Sequence, residues 1–251
     1  MQFRKSKMQE ELYRFMTKFG EQIAKLYDGD DFWANEQFVG NSPIMIAVSE
    51  MYDYGVLGIP TGDLLPGSRL DGIHAQIEMF FRGIDTPQMR VYLDTNYTAP
   101  PPLAMLTVQI AVARMVLDGG HRYNAEAVEY EIENDDDAYL TLAEVALLAK
   151  IDERSVRNAA NPKLSDPLKT EQIGKRSLVS REEARRWLTG RKGYIPTKEC
   201  EGNVAQHQPE FNKKLNEKMV AIIEQESQKA GISFEEYLEK IIVSTDEGTD
   251  K

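Results

Sequence analysis

Apolar positions in the first half of the chain fall mostly at helical spacing. From about Lys5 to Tyr27 they recur as Met8, Leu12, Phe15, Phe19, Ile23 and Leu26, one sticky face of an amphipathic helix that needs a partner. Ser42-Pro43 supplies an N-cap and an N1 proline for a helix expected to stop at Gly55, and Ser68 to Gly83 carries the same cap-and-stop signals. Between them, Gly55 to Gly67 is rich in Gly and Pro and reads as loop. Met89 to Leu93 suits a short strand. Pro100-Pro101-Pro102 then introduces an apolar segment, Leu103 to Leu117, closed by Gly119-Gly120, which predicts a buried helix. That segment is too short to prefer a bilayer, and Gln109 and Arg114 interrupt it. Residues 1–130 are thus expected to form a helical N-terminal domain with its own core, serving assembly or ligand sensing.

Polar runs divide the rest. Glu129, Glu131, Glu133 and Asp135-Asp136-Asp137 form a like-charge run that repels itself, so 131–137 reads as an acidic linker. A second connection, 199–208, lacks periodicity. It leads into 209–245, where Met219, Ile222 and Ile223 precede a stop at Gly231, and Ser233 caps a segment with Tyr237, Leu238, Ile241 and Ile242 inward. This pattern predicts a C-terminal helical hairpin suited to oligomerisation. It is also similar to the ribbon-helix-helix family, whose members dimerise through such elements and read DNA with a strand.

The segment between the two connections is dense in local signals. Thr141 N-caps a short helix with Glu144 at the capping-box position and Leu142, Val145, Ala146 and Leu148 on its apolar side. Asp152 caps a second, Glu153 to about Ala160, with Val156 and Ala159 inward while Arg154, Arg157, Asn158 and Asn161 share one stripe. After a loop with Pro162 and Pro167, Lys169 to Val179 reads as a hairpin with Gly174-Lys175-Arg176 at its tip. Ser180 then caps a helix with Glu183 three residues on, packed by Ala184, Trp187 and Leu188 and ended by Gly190.

These residues resemble the excisionase and MerR-type winged helix-turn-helix. The resemblance is carried by Tyr-Leu-Thr-Leu-Ala-Glu-Val-Ala-Leu-Leu-Ala at 139–149, Ile-Asp-Glu-Arg-Ser-Val-Arg-Asn at 151–158, and Gly-Lys-Arg-Ser-Leu-Val-Ser-Arg-Glu-Glu-Ala-Arg-Arg-Trp-Leu at 174–188. It covers 138–198 and implies that the second helix enters the major groove and the hairpin forms a wing over the backbone or minor groove. By resemblance Arg154, Ser155, Arg157 and Asn158 fall on the recognition helix, and Lys175 and Arg176 on the wing. The chain departs from the family between recognition helix and wing, where Asn161 to Lys169 is longer than the usual glycine-containing turn and carries two prolines. The chemistry suits the assignment, since an Arg fork matches guanine, an Asn amide matches adenine, and Lys or Arg neutralises phosphate. Asn161 extends the stripe, and Arg181 offers a further phosphate contact, as do Arg185, Arg186, Arg191 and Lys192; pairing with Glu182 and Glu183 is the alternative. The competing reading of the stripe is an ordinary solvated helix face.

Charge sharpens this picture. The chain carries a net charge of −11, yet residues 139–198 hold 13 Lys and Arg against 7 Asp and Glu, a local +6 in a remainder of −17. An acidic exterior opposes non-specific coating of nucleic acid, whereas one basic island permits local contact. The acidic run 129–137 is further expected to lie against that basic face until a specific site displaces it. Apolar residues at 41% and charged residues at 28% exclude the disordered and membrane classes. The single Cys200 forms no internal disulfide, and Met1-Gln2-Phe3-Arg4-Lys5 begins a charged amphipathic pattern rather than a signal peptide, so a cytoplasmic location is expected.

An enzyme has little support. His74, His121 and His207 are scattered without metal-ligand spacing, and Asp28, Asp30 and Asp31 read as a solvated loop. No phosphate loop or nucleophile elbow occurs, and no metal or cofactor is expected. Tyr52, Tyr54, Phe80, Phe81 and Trp33 could line a ligand pocket, although aromatics at helical spacing are more often core. The expected fold class is mainly α, with a helical N-terminal domain, a small winged helix-turn-helix containing a short β-hairpin, and the C-terminal hairpin. The expected function is a sequence-specific transcriptional regulator that binds double-stranded DNA as a homo-oligomer, without membrane contact, with RNA polymerase a further partner if it acts on transcription directly. Two alternatives stay open: an excisionase-like architectural factor, and an adaptor whose winged module binds protein.

Overall fold

Eleven residues of the segment beginning at Pro102 are buried, on every side of the helix it forms, and the fold is organised around it. The computed structural model describes residues 3–26, 39–68, 70–122 and 138–199. In order these give α1 (Lys5–Leu26), α2 (Pro43–Leu57), α3 (Gly72–Ile84), α4 (Pro87–Thr95), α5 (Pro102–Leu117), β1 (Tyr139–Thr141), α6 (Leu142–Ala149), α7 (Glu153–Ala159), β2 (Glu171–Ile173), β3 (Arg176–Ser180) and α8 (Arg181–Thr189). The architecture is mainly α with a small antiparallel sheet in the order β1-β3-β2. Among these elements α5 is the hub, packing against α1, α2, α3, α6, α8 and β1. No helix among the described residues is long and apolar enough to cross a membrane.

The amphipathic face of α1 docks through Met8, Leu12 and Phe15, all buried, and Phe15 and Phe19 meet Phe80 of α3 in an aromatic cluster. Tyr52, Tyr54 and Phe81 are core residues and Phe80 is half-buried; Trp33 lies outside the described residues. Gly55 does not end α2. The helix runs on to Leu57 and closes on Gly58 in the left-handed conformation. Gly55 instead lets two helices touch, because a Cβ there would stand 2.8 Å from the Ala111 backbone of α5.

Two further expectations are corrected. Ser68 does not cap α3: its hydroxyl is engaged with the Leu65 backbone, its carbonyl accepts from His121 N–H, and Asp71 stands at the N-cap. The strand expected at Met89 to Leu93 is helical, because the Thr86 hydroxyl accepts from Met89 N–H and Pro87 occupies N1, so the cap prevails over the strand propensity of Val91 and Tyr92.

The described parts of 1–130 and of 138–198, read from sequence as separate domains, share one hydrophobic core, in which Leu140, Val145, Leu148, Val156, Val179, Trp187 and Leu188 join the α5 cluster. The described residues form one compact unit. The acidic run 129–137, the loop 28–31, Cys200, His207 and the hairpin expected at 209–245 lie outside the described residues.

Candidate nucleic-acid interface

The helix pair forms as its caps dictate. Thr141 accepts from Glu144 N–H while the Glu144 carboxylate accepts from Thr141 N–H, a complete capping box that starts α6. Lys150 closes α6 in the left-handed conformation, and two residues later the Asp152 carboxylate accepts from Arg154 N–H at 2.8 Å and starts α7. Val156 is fully buried and fixes which side of α7 faces out. That side presents Arg154, Ser155, Arg157 and Asn158, all exposed, with Asn161 exposed just beyond the helix. Arg157 pairs with Glu153 one turn back at 2.5 Å, a solvated pair that holds little energy and is readily exchanged for another anion. No ion pair or hydrogen bond from another described side chain engages the Arg154 guanidinium.

The hairpin also forms. β2 and β3 pair antiparallel with Ile173 opposite Arg176, leaving Gly174-Lys175 as a two-residue turn. Gly174 has φ +58, the left-handed value a primed hairpin turn requires at its first position. Lys175 and Arg176 are exposed at the tip. Sequence reading missed β1, which pairs with β3 through Leu140 opposite Val179 and ties the hairpin to the start of α6. Three residues are too few for an alternating pattern to register.

The long loop from Asn161 to Lys169 is pinned. Asn161 Oδ1 accepts from Lys163 N–H, Leu168 is buried and its N–H donates to Ala159 O, and Lys169 N–H donates to Glu183 of α8. Arg186 clamps the same loop, donating to Asp166 at 2.6 Å while held by Glu183 at 2.7 Å. The Glu183 carboxyl lies below its ordinary pKa, chiefly through the Arg186 hydrogen bond. Lys163 and Lys169, unremarked in the sequence, are exposed along this loop beside the stripe.

Arg181 departs from its expected place. Its Nε donates to Val116 O at 2.8 Å, and Arg185 donates to Leu117 O at 2.5 Å, so both satisfy carbonyls at the C-terminal end of α5. The cationic side chains of α8 thus face two ways, with Arg181 and Arg185 turned to the core helix and Arg186 to the loop. Beyond α8, Arg191 lies over the Trp187 ring at 4.0 Å.

A second cationic group was hidden in the apolar run of α5. Arg114 is 1% exposed, and donates from Nε to Gly55 O, from Nη1 to Thr197 Oγ1 and from Nη2 to Ile195 O, each at 2.8 Å. Asp118 one turn on accepts from the Tyr54 hydroxyl at 2.9 Å and from Thr197 at 2.6 Å. Burial drives the Arg114 pKa down and that of Tyr54 up. The network fastens the irregular tail after α8 to the helical body. An arginine buried inside a helix apolar on all sides must be paired, but its partners lie far along the chain.

Among the described residues no group of three or more His, Cys, Asp or Glu side chains could hold a metal ion. Comparisons with protein-family models, curated proteins and solved structures find no match.

Proposed function

We propose that this protein is a sequence-specific DNA-binding regulator of the winged helix-turn-helix type, acting as an oligomer in the cytoplasm. The observation that carries the reading is the pairing of α7 with the hairpin: a helix whose buried side is set by Val156 and whose outer side offers Arg154, Ser155, Arg157, Asn158 and then Asn161, followed by a turn with Lys175 and Arg176 exposed. A helix so armed can read base edges in a major groove, and the exposed cations of the turn and loop can neutralise phosphates. A module of this size makes a small footprint, which symmetric pairing of two chains would double.

The test is fluorescence-anisotropy binding of the full chain to a pool of duplexes across a salt series. Salt-sensitive selection of particular duplexes, lost in the Arg154→Ala, Arg157→Ala double variant, is the expected result. Absence of binding at low salt would sink the DNA reading and leave the adaptor alternative, in which the same face meets protein.

A further inference from the structure

A cleft of about 360 Å³ opens where α3, α5 and α6 meet. The apolar part of its wall is formed by Phe81 of α3, Met105, Val108 and Val112 of α5 and Leu147 of α6. Small-molecule sites combine such walls with a few placed polar groups. Polar groups line it as well, namely Arg82, Asp85, Gln109, Arg122, Glu144 and Glu78, of which Glu78 is 6% exposed. One of the Glu78 oxygens pairs with Arg82, a helical turn further on, and the other, Oε2, is buried without a hydrogen-bond partner. An unpaired buried acceptor is unfavourable, and nothing in the packing of α3 asks for a carboxylate among Ala75, Ile77, Phe81 and Ile84. Burial raises the Glu78 pKa, with Arg82 opposing. That counterion is loosely held, because the Arg82 side chain is 64% exposed and can swing into solvent.

We propose that this cleft binds a small organic cation, an ammonium or amidinium on an apolar body, whose head takes the place of Arg82 on Glu78 while its body lies against Phe81, Val108, Val112 and Leu147. A charge-assisted pair in partly dry surroundings favours a cation over a neutral molecule of the same shape. The Arg122–Glu144 pair, 2.8 Å apart, borders the cleft on the α6 side. An occupant therefore bears on α6, the helix packed against α7. That route to the DNA-facing residues, unlike the site itself, rests on the DNA-binding reading.

The probes are benzamidine and its neutral near-isostere benzamide, titrated into the full chain without DNA and followed by calorimetry and thermal shift. Benzamidine is expected to bind at least about tenfold more tightly than benzamide, the scale of a charge-assisted contact. Glu78→Gln is expected to erase the preference, and Arg82→Ala, by removing the competing guanidinium, to strengthen benzamidine binding. Equal binding of the two probes, or a preference that survives Glu78→Gln, overturns the proposal. If Glu78→Gln does not fold, Arg82→Ala decides alone, and weaker or unchanged benzamidine binding in it overturns the site.

Discussion

The arginines of this protein fall into two populations that the sequence writes with the same letter. Arg114, buried, Arg181, half-buried, and Arg185, exposed, donate to backbone carbonyls of Gly55, Ile195, Val116 and Leu117 within the fold. Arg154, Arg157 and Arg176 point outward from α7 and the hairpin. The first set joins residues 138–199 to the helical body, Arg181 and Arg185 doing so at the carbonyls that end α5. The outward set is held only by surface contacts. A charge total of +6 for residues 139–198 therefore overstates what is available to a phosphate backbone, since part of it is spent within the fold.

The difference should be largest for Arg114. Arg114→Met keeps the volume but leaves the Gly55 and Ile195 carbonyls and the Asp118–Thr197 pair without their buried cation, and a loss of about 3–5 kcal/mol in unfolding free energy is expected from denaturant titration. A loss below about 1 kcal/mol would mean that the network does not hold the tail. The outward pair should behave in the opposite way. Arg154→Ala and Arg157→Ala should each cost about 1–3 kcal/mol in affinity for a selected duplex while leaving the denaturation midpoint near that of the parent protein. An equal fall in affinity for all duplexes would move these residues from base reading to phosphate contact.

Local signals carried the segment 138–198 well. The capping box at Thr141 and Glu144, the Asp152 cap, the turn at Gly174 and the Ser180 cap each act within a few residues, so sequence alone shows them. What sequence did not show is set by contacts far along the chain. Gly55 reads as a helix stop until Ala111 is known to lie against it, and Arg114 reads as an interruption until Ile195 and Thr197 are known to meet it. The shared core has the same origin, because the apolar faces of α5 and α6 are each explicable alone and their pairing is not written in either. Arg181 was misplaced for this reason, its partners being 61 and 65 residues away.

A smaller effect separates Arg181 from the hairpin tip. Lys175→Ala and Arg176→Ala should each lower the slope of log affinity against log salt by about one, the signature of one phosphate contact. Arg181→Ala should leave that slope unchanged and lower stability by about 1 kcal/mol through the lost hydrogen bond to the Val116 carbonyl, which keeps its bond from Gly119 N–H. A slope change in Arg181→Ala with unaltered stability would place this side chain on DNA after all.

The smallest expected effect concerns the loop between α7 and the hairpin. Arg186 joins it to α8 through Asp166, and Glu183 both holds Arg186 and accepts from Lys169 N–H. Because the folded state depresses the Glu183 pKa, its contribution to stability is present in full above the ordinary value of 4.5 and is lost as pH falls through the depressed folded value. Glu183→Gln should remove that part of the acid dependence while keeping an acceptor for Lys169. Amide exchange at Lys169, followed from neutral pH downward, should accelerate below about pH 4.5 in the parent protein and less steeply in the variant, once the intrinsic pH dependence of exchange is divided out. Identical profiles would show that Leu168, buried behind Ala159, holds the loop by itself and that the Glu183–Arg186 clamp adds nothing to it.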